Sequence, residues 1–352
     1  MQTDQPAAVK GRGCLAKIAV AIGVVIFVLV LILGISAWYE TSARADALRA
    51  VSPSGKLVDV GGHKLHLLCQ GEVRPGQPTV ILESGAGGWS IHWNDLQQAV
   101  AQFARVCSYD RAGFGWSEAG PDPRDGAQIA AELHTLLANA GEPGPFVLVG
   151  ASRGGQYARI FTHAYPEAVA GLVLLDAEPE EFRSQAAAAQ SLASQNQAIF
   201  SVVDLLTRLG IFRLLGGDPA SAPEMPCIPF AVKHLPPELH AAYVAVEGQP
   251  QCFDALLAEE AATGIREEQV RAAGDLGDLP LVVLAHGADV TPAGIAPADA
   301  AATEAVWRQL QEAMATLSSA GQLVIAENSG HNIALDQPDL VLAAIQKVLS
   351  AR

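Results

Sequence analysis

Positive charge is scarce in this 352-residue chain. Lys and Arg together number 22 against 37 Asp and Glu, giving a formal net charge of −15 and a pI near 4.9. Without a basic stripe beyond the N-terminus, nothing offsets phosphate repulsion, so nucleic acid is excluded as a partner. The five cysteines and nine histidines fall in no metal-ligand spacing, and no internal repeat occurs. A zinc or dinucleotide site therefore has no support, and no cofactor or metal is expected. Charged residues make up only 17% of the chain while half is hydrophobic, which rules out wholesale disorder and permits a large core.

Part of that apolar content is one uninterrupted run. Ile18 to Trp38 is 21 residues without a charge, and at about 1.5 Å per residue a helix of this length crosses a hydrocarbon core of about 30 Å. Trp38 and Tyr39 close it as an interfacial belt would. Lys10, Arg12 and Lys17, opposed only by Asp4, leave +2 ahead of the run and so −17 behind it out of the total of −15. That asymmetry places the short N-terminal side in the cytoplasm and the remainder outside. The expected organisation is a cytoplasmic tail over 1–17, a single-pass signal anchor over 18–39, a linker over 40–55 and an extracytoplasmic domain over 56–352. The alternative is a secretory signal cleaved around Ala43-Arg44-Ala45, although signal cores usually run only about 7–15 residues.

Beyond the linker the pattern alternates strand and helix. Lys56–Val60 and His63–Gln70 read as a hairpin around Gly61-Gly62, and Thr79–Glu83 and Arg105–Tyr109 as strands with a helix over Ile91–Phe103 between them. An amphipathic helix over Asp125–Ala140 precedes the strand Phe146–Gly150. A helix over Gln156–His163 and the strand Gly171–Leu175 follow. Residues 177–279 contain no convincing strand and read as a helical cap. The sheet resumes at Leu281–Ala285 and Gln322–Ala326, with helices over Thr303–Leu317 and Pro338–Leu349. This order implies an α/β fold with a mostly parallel sheet.

The chemistry centres on Gly150-Ala151-Ser152-Arg153-Gly154, a G-x-S-x-G directly after a strand and before a helix. Such a nucleophile elbow holds a serine hydroxyl clear of the sheet and aims the next helix's free N–H groups at a developing anion. Serine needs a general base, and the imidazole needs a carboxylate to fix its tautomer. Reactive groups in open α/β sheets gather at the carboxyl ends of strands. Ser152, Asp289 and His331 lie at such ends in that order, and Asp176, ending another strand, is the rival acid. The oxyanion donors are expected to be the N–H of Arg153 and one from Ser84–Gly88, with Ala86 foremost. The other eight histidines, His286 among them, are read as structural or exposed.

On Ser84–Gly88, Asp110–Ser117, Gly150–Gly155, Asp289 and Gly330-His331, the chain resembles the α/β-hydrolase fold superfamily over about residues 55 to 350. It is most similar to exported or membrane-anchored members with an LLC-x-G…ESG-x-GG…VCSYDRAG-x-GWS pattern, relatives of the carboxylesterase and prolyl-aminopeptidase branches. The resemblance implies an eight-stranded, mostly parallel sheet with a helical cap. It also implies a serine hydrolase cleaving carboxylic esters through an acyl-enzyme. Two positions depart from the common pattern: Ala151 and Ser84 stand where many members have His. With Ser as nucleophile, the resemblance does not extend to haloalkane dehalogenases or epoxide hydrolases. Asp110, Arg111 and Ser117 are read as fold-building. The superfamily's strand order makes Cys69 and Cys107 neighbours, which suggests a disulfide in an oxidising compartment, and Cys227 with Cys252 would staple the cap. Cys14, ahead of the span, is read as buried. Phe200, Val202, Leu205, Leu206, Ile211, Phe212, Leu214 and Leu215 suggest a pocket for an apolar ester, or equally a cap core. An aminopeptidase or amidase would instead use an acidic cluster in the cap, with Glu259, Glu260, Glu267 and Glu268 available. A ligand sensor on a hydrolase scaffold is the non-enzymatic alternative.

Overall fold

The computed structural model describes residues 12–211, 227, 235–288, 290 and 297–351. Helix α1 (Arg12–Arg49) leads into strands β1 (Lys56–Asp59) and β2 (Lys64–Gln70), then β3 (Thr79–Glu83), α2 (Asn94–Val100) and β4 (Val106–Tyr109). The sheet continues with α3 (Gly126–Ala140), β5 (Phe146–Ala151), α4 (Arg153–Ala164) and β6 (Val169–Leu175). Five helices form the described cap: α5 (Phe182–Gln185), α6 (Ala187–Arg208), α7 (Pro237–Glu247), α8 (Pro250–Ala261) and α9 (Thr263–Ala273). Strand β7 (Leu281–His286), helix α10 (Pro297–Ala315), β8 (Gly321–Ala326), α11 (Ile333–Asp336) and α12 (Pro338–Ser350) follow.

The eight strands lie in the order β1-β2-β4-β3-β5-β6-β7-β8, with β2 antiparallel to both of its neighbours and the rest parallel. Side chains alternate across each strand, so the central strands feed two cores and read as continuous apolar runs. On β5, Phe146 and Leu148 enter one core with Leu133, Leu136, Phe161 and Leu174. Val147 and Val149 enter the other with Leu82, Trp93, Val173, Leu284 and Ile345. Helix α3 starts where Asp125 accepts the Gln128 N–H at 2.9 Å and stops where Gly141 turns left-handed at φ 74°.

Several boundaries depart from the sequence reading: α2 covers only Asn94–Val100 of the expected Ile91–Phe103, and α4 starts at Arg153, ahead of Gln156. The expected linker is helical as far as Arg49, because residues 40–49 are rich in helix formers and carry the i,i+4 pair Glu40–Arg44 (2.7 Å). The described part of helix α10 already starts at Pro297, six residues before the expected Thr303. Cys69 and Cys107 face each other in the β2–β4 register and are disulfide-bonded, as are Cys227 and Cys252. The second bridge fastens α8 to a residue that packs with Trp89, Phe114 and Tyr243 between cap and sheet.

Candidate active site

Strand β5 ends directly at Ser152, whose backbone is held at φ 50°, ψ −123°, a conformation non-glycine residues rarely adopt. Its N–H donates to the Leu175 carbonyl (2.9 Å), and its carbonyl accepts the N–H groups of Gly155 (3.0 Å) and Glu178 (3.0 Å). Close packing enforces the turn. A Cβ at Gly150 would lie 2.6 Å from the Gly154 oxygen, and one at Gly154 would lie 2.4 Å from the Glu83 oxygen. Neither position accepts a side chain.

The loop after β3 passes close beside the serine, since a Cβ on Gly85 would sit 3.1 Å from the Ser152 Cβ. Arg111 fixes this loop from behind. Its guanidinium donates to the carbonyls of Ser84 (2.6 Å) and Gly85 (2.8 Å) and to Glu83 (2.9 Å) and Glu259 (2.8 Å). Because a trans peptide sets C=O and N–H in opposite directions, holding the Gly85 carbonyl on Arg111 turns the Ala86 N–H away from Arg111. Arg153 opens α4, and its N–H is unclaimed by the helix itself. Asp110 supports the same wall: its carboxylate accepts the N–H groups of Ser90 (2.7 Å) and Trp116 (2.9 Å) and meets His66 at 2.9 Å.

His331 precedes α11, and its Nδ1 lies 2.6 Å from Oδ2 of Asp176, the residue directly after β6. Asp289, the acid named first from the sequence, lies outside the described residues. Among the described residues the carboxylate brought to His331 is the rival, Asp176. Asp176 is fully buried, adopts φ 43°, and also accepts Trp307 Nε1 (2.9 Å), the His286 N–H (3.2 Å) and His286 Nδ1 (2.8 Å). Burial opposes its ionisation, but the hydrogen bonds and charges of His286 and His331 prevail and lower its pKa to about 2.

The second histidine on this carboxylate was not anticipated. His286 ends β7 with Nδ1 on Asp176 and Nε2 3.0 Å from Glu304. Burial alone would lower its pKa; the two carboxylates outweigh it and push it up to about 9. With an acidic partner on each nitrogen, the ring is an imidazolium at neutral pH. The sequence carried one signal of this, a histidine at the carboxyl end of a strand, which is where reactive groups gather.

Ser152 and His331 line one cavity of about 370 Å³ together with Ala86, Ile91, Trp93, Leu96, Leu175, Leu235, Tyr243 and Ile333. Its wall is therefore mostly apolar, with a few convergent polar groups, as in small-molecule sites. Glu247 on α7 also lines it, held by the Cys227 N–H (2.9 Å) and by Trp89 Nε1. Burial raises its pKa to about 8, so at neutral pH the group is uncharged. Of the residues read equally as pocket or cap core, Phe200 packs against the buried cluster that contains Trp89, Phe114, Tyr243 and Phe253, while Val202 and Leu205 are exposed on α6. Phe212, Leu214 and Leu215 lie outside the described residues.

The cap glutamates are equally informative. Glu259 is buried against Arg111 and Arg153, and Glu260 against Arg153 (2.6 Å) and Arg183. Despite burial, these arginines hold Glu259 below the usual carboxylate range and Glu260 down to about 2. Their charge is spent within the protein, tying α8 to the start of α4.

The alpha/beta hydrolase fold family matches over residues 78–220. An AB hydrolase superfamily protein of Gibberella zeae is 25% identical over 293 residues, covering 78% of this chain and 87% of its own length. A probable transporter of Hormonema carpetanum is 33% identical over 35% of this chain, and an uncharacterized vacuolar membrane protein of Saccharomyces cerevisiae is 31% identical over 34%. The chain spans only 18% and 21% of those two proteins. Among solved structures, a Pseudomonas aeruginosa protein described as an epoxide hydrolase superposes with a TM-score of 0.61 at 20% identity, covering 85% of this chain and 97% of the other. A thermophilic esterase from Thermogutta terrifontis superposes with a TM-score of 0.55 at 22% identity, covering 84% and 97%. Sheet order, elbow and comparisons agree: the chain has the α/β-hydrolase fold.

Proposed function

We propose that the protein is a membrane-anchored serine hydrolase that cleaves carboxylic esters through an acyl-enzyme, with Ser152 as nucleophile, His331 as base and Asp176 as acid. The observation that carries this reading is the 2.6 Å contact between His331 Nδ1 and Asp176 at the rim of the cavity that also holds Ser152. With Nδ1–H donated to Asp176, Nε2 is left as the acceptor. It takes the Ser152 proton as Oγ attacks the ester carbonyl, and the tetrahedral oxyanion forms against the N–H groups of Ala86 and Arg153. His331 then protonates the leaving alcohol, and water, deprotonated in turn by His331, releases the acid.

Serine at the elbow disfavours the chemistry named for the Pseudomonas aeruginosa neighbour and favours that of the esterase. Against the aminopeptidase alternative, Glu259 and Glu260 are neutralised by arginines and Glu247 is uncharged at neutral pH, which leaves an ammonium group without these partners. The uncharged run in α1 supports a single-pass anchor with the Lys- and Arg-bearing end in the cytoplasm, and the two disulfides fit an oxidising space outside.

The test is a fluorophosphonate probe on the full chain in detergent, beside Ser152→Ala and a p-nitrophenyl ester series of increasing acyl length. Labelling and turnover that vanish together in Ser152→Ala are expected. A well-folded protein that neither labels nor turns over any ester would refute the reading, and binding without turnover would favour a sensor.

A further inference from the structure

Helix α1 does not end where its apolar run ends. Its large side chains from Ile18 to Ile35 are exposed apart from a half-buried Leu33, but Ser36 and Glu40 are each only 6% exposed. The cap covers them. Ser36 Oγ donates to the Leu209 carbonyl (2.7 Å), and Arg44 donates to the Thr207 carbonyl (2.9 Å). Gly210 comes so close that an added Cβ would lie 3.0 Å from both Glu40 and Ser36. Ser36 lies inside the uncharged run, two residues before Trp38. The carboxyl end of α6 therefore sits level with the end of the apolar segment, where a spanning helix meets the headgroups.

Helix α6 is two-faced at this level. Phe200 and Val203 pack toward Trp89 and Tyr243, whereas Ile199, Val202 and Leu205 are 48%, 57% and 56% exposed. Their spacing of three residues puts them on one stripe. We propose that this stripe is a membrane-docking face, on which the cap rests against the lipid bilayer with α6 in the boundary between headgroups and acyl chains. The inference rests on α1 being a membrane span, and its occupant follows from continuity: the stripe belongs to the helix whose end is fastened to the span. A helix with one apolar face and no stretch long enough to cross lies in such a boundary, about 5–10 Å deep. Helix α7 also packs on α1 while carrying Tyr243 and Glu247 in the cavity wall, so the cavity is one helix diameter, roughly 10 Å, from α1. The substrate class this arrangement serves is an ester that resides in the bilayer.

The experiment uses the full chain with Cys14→Ser in phosphatidylcholine vesicles. Single cysteines introduced by Val202→Cys, Val25→Cys or Val73→Cys carry an environment-sensitive nitrobenzoxadiazole label. Val73 is exposed in the loop leading to the amino end of β3, opposite the cap. Phosphatidylcholine bearing a nitroxide on its acyl chain is expected to quench the label at 202 by more than half, to quench that at 25 as well, and to leave that at 73 unchanged. Quenching at 25 without quenching at 202 overturns the docking face while leaving the anchor intact. A blue-shifted but unquenched label at 202 means cover by protein, such as a second copy, and also overturns it. Loss of quenching at 25 removes the span and the docking face together.

Discussion

Replacing Asp176 by Asn tests the acid assignment through hydrogen-bond arithmetic. Four donors converge on the carboxylate: His331 and His286 on Oδ2, and Trp307 Nε1 and the His286 N–H on Oδ1. An amide offers one oxygen and one NH₂, so either orientation sets the NH₂ against two donors. Indole and backbone N–H groups can only donate, whereas an imidazole can change tautomer. The NH₂ therefore turns toward the histidines, and His331 must accept on Nδ1 and carry its proton on Nε2. In that form it cannot take the Ser152 proton. The same change in a serine triad costs about 10⁴ in kcat, or ~5.5 kcal/mol of barrier, and KM should barely move. Stability also falls. With the carboxyl lowered from 3.8 to about 2, the ion contributes roughly 2 kcal/mol that is fully present above pH 3.8 and lost as pH falls through 2. The assay is ester turnover at neutral pH with thermal unfolding alongside, comparing Asp176→Asn with Asp289→Asn. A folded Asp176→Asn enzyme within tenfold of the parent, or a loss confined to Asp289→Asn, would sink the reasoning.

Three further outcomes follow from the geometry. Arg111→Lys keeps the charge but cannot hold two carbonyls and two carboxylates at once, so kcat should drop by about 10²–10³ as the Ala86 N–H loses its aim. Equal losses for a substrate and for simple binding of a product analogue would contradict that role. Glu259→Gln leaves Arg111 and Arg153 short of a buried partner and should cost about 3–5 kcal/mol in urea unfolding; a change below 1 kcal/mol would mean water or another acid replaces it. For His286, whose pKa is raised to about 9, stabilisation is fully present below the unfolded value near 6.5 and lost as pH rises through 9. The urea midpoint should fall over that window, and this slope should flatten in His286→Asn, which can still donate to Asp176.

Much of this protein could be read from local sequence, for a local reason. The elbow declares itself because Gly150 and Gly154 are dictated by backbone atoms a few ångströms away, and the strands by alternating residues that must serve two cores. The apolar run of α1 and the Asp125 cap are likewise properties of short segments. His331 could be named as a candidate because reactive groups gather after strand ends. What the sequence left open depends on contacts between distant segments. Asp176 and Asp289 end neighbouring strands and look alike in sequence. Only the fold shows that Asp176 receives His331 from 155 residues away, and with it a second histidine from β7. The cap glutamates offered an acidic cluster in sequence, whereas tertiary packing sets arginines against Glu259 and Glu260. Helix periodicity could not say which side of α6 meets the core and which stays exposed. Local propensity and sterics specify the elements and the strained turn at Ser152. The partner of each charge depends on which strand ends and helices the sheet order makes neighbours, and that is decided only when the whole chain packs.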